Sequence, residues 1–171
     1  FTGDRRSILT LANELGHALH GSLSQPLGYF NAGTPLTTAE TASVFGEALT
    51  FKGLLAAEDD PRRRLDLLTG QLEDAIATTF RQIAMNRFEQ LMHEGRRQHG
   101  ELSSEKLSEY WLATQRAMFG NTVQLGDAYG IWWSYIPHFL STPGYVYSYA
   151  FGELLVLALY GIYQQEGESF V

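Results

Sequence analysis

Apolar residues recur at a helical period along most of the chain, and polar, glycine- and proline-rich stretches separate the periodic segments. Ile8, Leu11, Leu15, Ala18 and Leu19 mark one face of a first helix of roughly 20 residues, with Asp4 placed to cap its N-terminus. Pro26, Gly28, Gly33 and Pro35 make residues 21–36 a loop. Thr37 and Glu40 have the T-x-x-E form of a capping box, and a second helix follows with Val44, Ala48, Phe51 and Leu54 on one face. Asp60-Pro61 is a further start signal, Asp at the cap and Pro at the first helical position. From there a long helical pattern runs to His99, with Leu65, Leu68, Leu72, Ala75, Ile76, Ile83 and Leu91 as its buried stripe and Gly70 as a candidate bend. Ser103 or Ser104 opens a fourth helix that ends near Gly120. Residues 121–143 are irregular and aromatic, and a last helix is expected from Tyr145 to about Gln165. The pattern predicts an all-α, multi-helix fold with an irregular aromatic loop before the last helix.

The last helix is apolar enough to raise the question of a membrane span. Its one charge, Glu153, sits near the middle, where a carboxylate in hydrocarbon is costly. A buried helix of a water-soluble protein is therefore expected, with no membrane partner. With 44 % apolar and 18 % charged residues, the 171-residue chain has material for a sizeable core. Lys and Arg number 12 against 19 Asp and Glu, a net charge of −7, which argues against nucleic acid as a partner because phosphate binding needs a cationic face. The absence of cysteine excludes disulfides, thiolate metal sites and cysteine nucleophiles. It is compatible with an intracellular home, and a cytoplasmic location is expected. Residues 1–6 do not form a signal peptide, and the abrupt ends at Phe1 and Phe170-Val171 suggest a piece of a longer chain.

The chemistry concentrates in Asn13-Glu14-Leu15-Gly16-His17-Ala18-Leu19-His20. Positions 13 and 17 are four apart and share a helical face. With histidine at 13, two imidazoles one turn apart would bind a zinc ion and Glu14 would act as general base. Here position 13 is Asn, whose amide oxygen is a poorer zinc ligand. Glu40, at the start of the second helix of the same helix-loop-helix unit, is the best third donor, with the capping of its own helix as the rival reading. Glu14-x-x-His17 also has the spacing of ferritin-like di-metal proteins, but no second E-x-x-H exists. The residues three before His20, His93, His99 and His138 are His17, Gln90, Arg96 and Tyr135. His93 and His99 lie in a charged stretch and read as solvated.

The segment 13–20, followed by Ala39-Glu40-Thr41-Ala42-Ser43, resembles the catalytic core of oligoendopeptidase F-type enzymes of the M3 family of zinc metallopeptidases. Thr79-Phe80-Arg81-Gln82, Pro137-His138-Phe139 and Tyr145-Val146-Tyr147-Ser148-Tyr149-Ala150-Phe151-Gly152 extend the resemblance in family order over nearly the whole chain. The resemblance implies a zincin-like helical catalytic domain, of which residues 1–171 would be the core. The upstream helical domain and the extreme C-terminus would belong to the remainder of the parent chain. It implies one Zn2+ ion, short peptide substrates, Glu14 as general base, and His17 and Glu40 as metal ligands, with Asn13 where the family has its first histidine ligand. It implies that His138 and a tyrosine, Tyr145 or Tyr149, bind substrate and stabilise the oxyanion. Tyr145, Tyr147 and Tyr149 at two-residue spacing cannot all share one helical face. His20 is a candidate supporting residue. Three accounts of Asn13 stand: an introduced substitution, a natural loss that leaves a catalytically inactive peptide-binding pseudopeptidase, or a site that holds metal weakly.

Overall fold

The computed structural model describes residues 2–170, apart from the side chain at position 168, so the abrupt ends at Phe1 and Val171 lie outside the described residues. Among the described residues there are seven α-helices and no strand: α1 (Arg5–Ser24), α2 (Thr41–Ala57), α3 (Pro61–Ile76), α4 (Gln82–His99), α5 (Ser104–Phe119), α6 (His138–Ser141) and α7 (Tyr147–Glu166). They fall into two compact units, one of residues 1–76 with 151–171 and one of residues 77–150.

In the first unit, Asp4 caps α1 as its sequence position predicts, its carboxylate accepting from the Ser7 N–H at 2.8 Å. Those hydrogen bonds, from Thr2 first and then Ser7, hold its pKa below the ordinary value. Asp60 caps α3 in the same way through the Arg62 N–H at 2.8 Å. The contact between α1 and α2 does not run along the leucine stripe. Leu11, Leu15 and Leu19 are exposed, whereas Leu9 and Gly16 are buried. The reason is a backbone approach. A Cβ added at Gly16 would lie 2.3 Å from the Ala42 carbonyl oxygen, and one added at Gly46 would lie 2.6 Å from that of Ala12. Helices this close meet through their smallest residues, and the larger side chains are displaced to the flanks. Leu19 and Leu23 of α1, with Phe45, Leu49, Leu155 and Tyr160, line an apolar cavity of about 770 Å³. Lys52 Nζ sits 3.5 Å from the centroid of the Tyr160 ring, linking α2 to α7 by a cation–π contact.

The predicted long helix is broken. Ala77–Arg81 forms a π-helical segment between α3 and α4, while α3 runs unbroken through Gly70. Gly70 instead leaves room for the Arg5 guanidinium, which donates to the Leu67 carbonyl at 3.3 Å and to Asp74 at 3.2 Å. The expected buried stripe of α3 is also corrected: Leu65, Leu68, Leu72 and Ile76 are exposed, with none of the described residues of this unit covering them. On α7, Gly152 and Val156 are buried while Leu154 and Leu157 are exposed, so the helix is buried on one side only. No helix is long and apolar enough to cross a membrane among the described residues.

The second unit is built on aromatic packing. Phe88 of α4 and Trp111 of α5 are fully buried in T-shaped contact, ring centroids 5.4 Å apart, with Phe139 of α6 tilted against Phe88 at 5.0 Å. Met85, Ile136 and Val146 complete the core. The irregular aromatic segment takes 3-10 form over Asp127–Tyr135 and packs Tyr129 and Trp133 against it. Tyr129 donates to Gln115 Oε1 at 3.3 Å, and burial raises its phenol pKa. α7 begins at Tyr147, two residues later than the pattern suggests.

Candidate metal centre and imidazole–tyrosine cluster

In the first unit the close α1–α2 approach carries side chains together. His17 stands beside Gly16 on α1, and Glu40 is the residue just before α2. His17 Nε2 and Glu40 Oε2 are 3.4 Å apart, with the Glu40 side chain 4 % exposed and that of His17 37 % exposed. Glu40 is held in place by Ser43, whose hydroxyl donates to Glu40 Oε2 at 2.9 Å, and by Gly152, where an added Cβ would meet the Glu40 backbone at 3.2 Å. The second helix starts later than the capping box of Thr37 and Glu40 predicts, with Glu40 at its N-cap. The helix begins only at Thr41, and the Glu40 carboxylate makes no capping bond. Its side chain turns toward His17 instead.

One turn before His17, Asn13 Nδ2 donates to Glu47 Oε1 at 2.6 Å. Glu47 lies seven residues after Glu40, about two turns along α2. Burial raises its pKa; the Asn13 bond opposes that shift, and the carboxylates of Glu153, Asp74 and Glu40 add to it. Glu153 is likewise raised by burial. Glu14, between these positions, is exposed and lines a surface hollow with Asp4, Ser7 and Thr10. His20 lines the apolar cavity.

The donor geometry can be tested against zinc. Two atoms bonded to one tetrahedral zinc ion at about 2.0–2.1 Å stand roughly 3.3–3.4 Å apart. The 3.4 Å between His17 Nε2 and Glu40 Oε2 is that spacing. A third donor of the usual kind is not present: among the described residues no group of three or more His, Cys, Asp or Glu side chains converges to hold a metal ion. Asn13 lies one helical turn before His17, and its amide nitrogen is committed to Glu47. His17 and Glu40 thus offer two donors at a spacing that suits a dication.

The second unit brings His138, Tyr145 and Tyr149 together. His138 is the first residue of α6, after Pro137. Tyr145 stacks on its ring, centroids 5.5 Å apart and planes 13° from parallel. Tyr149, on the first turn of α7, brings its hydroxyl to 3.3 Å from His138 Nε2. The two tyrosines meet edge to face, ring centroids 5.4 Å apart. Arg81 Nη2 donates to the Tyr135 hydroxyl, which ties the Thr79-Phe80-Arg81-Gln82 segment to the aromatic loop. His93, read as solvated, has its Nε2 3.5 Å from the buried carboxylate of Glu89.

Reasoning from the residues did not find Glu47, Ser43 or Glu89. Glu47 was detectable as the residue two turns beyond Glu40 on the same helix. Ser43 closes the segment 39–43 of the family resemblance, whereas Glu89 carries no pattern of its own.

The sequence matches the profile of Peptidase family M3 over residues 4–169. It is 33 % identical to oligopeptidase PepF of Bacillus subtilis over 168 residues, covering 96 % of this chain and 25 % of that protein. It is 32 % identical to an oligoendopeptidase F homolog of Borreliella burgdorferi, covering 91 % of this chain and 26 % of that one. The crystal structure of oligoendopeptidase-F from Enterococcus faecium superimposes with a TM-score of 0.72 at 31 % identity, covering 96 % of this chain and 30 % of that one. The chain thus spans about a quarter of the length of the curated relatives it matches.

Proposed function

This chain belongs to Peptidase family M3, and from that premise we propose that it forms the core of the catalytic domain of a cytoplasmic zinc metalloendopeptidase that cleaves short peptides. The observation that carries the reading is the convergence of His17 and the buried Glu40 at the spacing two ligands of one zinc ion require. His17 and Glu40 would hold the ion, with the Asn13 amide as a weak third donor. When bound, it would supply Lewis acidity to the peptide carbonyl and acidify water. Glu14, on the exposed edge of the same helix, accepts the proton of the attacking water and returns it to the leaving amine. His138, with Tyr149 or Tyr145, donates hydrogen bonds to the developing oxyanion, an interaction whose loss typically costs about 10²–10³ in rate. The rest of the parent polypeptide supplies the remaining walls of the peptide site.

A second reading is favoured by the Asn13–Glu47 hydrogen bond: a peptide-binding pseudopeptidase. A metal-ligating histidine normally donates its second ring N–H to a carboxylate. Here the position-13 side chain gives its N–H to Glu47 but has no imidazole to bind metal. Zinc titration of the wild type, Asn13→His and Glu40→Gln, with turnover of quenched fluorescent peptides measured with and without zinc, separates the two. Asn13→His is expected to tighten zinc binding by about 10-fold or more, and Glu40→Gln to weaken it. Equal affinity in all three forms removes position 13 and Glu40 from the metal site. A wild type that captures peptide but never cleaves it, zinc or not, is the pseudopeptidase.

A further inference from the structure

We propose that Glu89 is a positioning residue for the His138–Tyr145–Tyr149 cluster: its buried carboxylate holds the backbone of Gly144 and so sets where the Tyr145 ring rests on His138. The inference rests on the reading above for what the cluster does, and on the geometry alone for what Glu89 does to it.

Glu89 lies on α4 one residue after Phe88, the fully buried centre of the second unit's core, and is itself only 3 % exposed. Its Oε1 accepts the Gly144 N–H at 2.5 Å across 55 residues of sequence, a short charge-assisted bond. Gly144 has φ +79°, a left-handed backbone that a side-chain-bearing residue resists, so the chain can turn here only at glycine. The next residue is Tyr145. Its carbonyl accepts the Ser148 N–H at 2.9 Å where α7 starts, and its ring lies stacked on His138. A single peptide unit therefore separates the tethered amide from the residue that touches the imidazole.

The composition of the tether points away from a packing role. The second carboxylate oxygen, Oε2, is buried with no hydrogen-bond partner. A half-paired buried carboxylate is a poor choice for stability, because an apolar side chain of similar size avoids the desolvation cost. What the carboxylate supplies, and an apolar residue cannot, is an acceptor of fixed position on a rigid helix. Its hydrogen-bonded partner is the Gly144 N–H of the turn that leads into the cluster, while His93 Nε2 stands farther off, 3.5 Å from the same oxygen.

The test uses the full-length protein with Glu89→Met, which keeps side-chain volume but removes the acceptor, and Glu89→Gln, which keeps an acceptor oxygen. Amide hydrogen exchange at Gly144 and the NMR signals of the His138 ring are followed, with the amides of α5 as an internal control and binding of a fluorescein-labelled nonapeptide library in parallel. Glu89→Met is expected to speed Gly144 exchange by about tenfold or more, to shift the His138 signals and to weaken peptide capture, while α5 keeps its protection. Glu89→Gln is expected to recover most of the protection. Unchanged Gly144 exchange in Glu89→Met overturns the proposal. So does an equal loss of protection in α5, which marks a structural residue, or a Gln variant as loose as Met. If the wild type captures no peptide while Gly144 loosens as expected, the positioning role stands and the peptidase reading fails.

Discussion

Gly16→Ala sets two physical effects against each other at the residue next to His17. Helix propensity alone favours the change, because alanine in a helix interior is better than glycine by about 0.8–1.0 kcal/mol. Packing opposes it. The new Cβ would lie 2.3 Å from the Ala42 carbonyl oxygen and 2.7 Å from Ser43 Cα. Both are backbone atoms of a neighbouring helix, so no side chain can swing aside. Restoring an ordinary contact of 3.4 Å from 2.3 Å requires α1 and α2 to part by about 1 Å. Overpacking of this kind costs about 1–3 kcal/mol or more, which exceeds the propensity gain. The same displacement draws His17 Nε2 and Glu40 Oε2 beyond their 3.4 Å separation and out of reach of a shared ion. Urea denaturation should find Gly16→Ala destabilised, and zinc titration should find its affinity reduced. A variant as stable as the wild type or more so, with unchanged zinc affinity, refutes the idea that backbone contact at Gly16 sets the spacing of the proposed His17–Glu40 ligand pair.

Burial raises the Glu153 pKa in the folded state, so the native protein binds this proton more tightly than the unfolded chain does. The associated stabilisation is full below the unfolded value of about 4.5 and is lost as pH rises through the folded value. Glu153→Gln should therefore raise the thermal midpoint at pH 7 and leave it nearly unchanged at pH 4; equal shifts at both pH values contradict the burial argument. In the second unit, Trp111→Ala should cost about 3–5 kcal/mol by urea denaturation. Trp111→Phe should cost clearly less, because the buried indole N–H has no partner to lose. Tyr149→Phe removes the hydroxyl 3.3 Å from His138 Nε2 and should shift the His138 ring signals while leaving the melting temperature within a degree or two. Unmoved signals would dissociate the two residues.

Much of the fold was legible from local chemistry. The Asp4 and Asp60 caps, the Ser103 cap that accepts the Lys106 N–H at 3.3 Å, and the end of α5 before Gly120 depend on residues within one turn of each other. Less legible was which face of each helix is covered. Periodicity identifies an apolar stripe but not the partner that buries it, and on α1 the stripe lost to a glycine contact. The π-helical break at Ala77–Arg81 was invisible for a similar reason. Its residues are compatible with an unbroken helix, and the interruption falls where the chain passes from one compact unit to the other.

The candidate site divides along the same line. That Asn13, Glu14 and His17 occupy neighbouring positions of one helix follows from numbering and the 3.6-residue turn. That Glu40 turns from its own helix end toward His17, that Asn13 engages Glu47, and that Glu89 reaches Gly144 across 55 residues was decided only when the helices packed. Such pairings depend on backbone distances between separate elements, set by where glycine permits close approach, and no local rule of sequence contains that information.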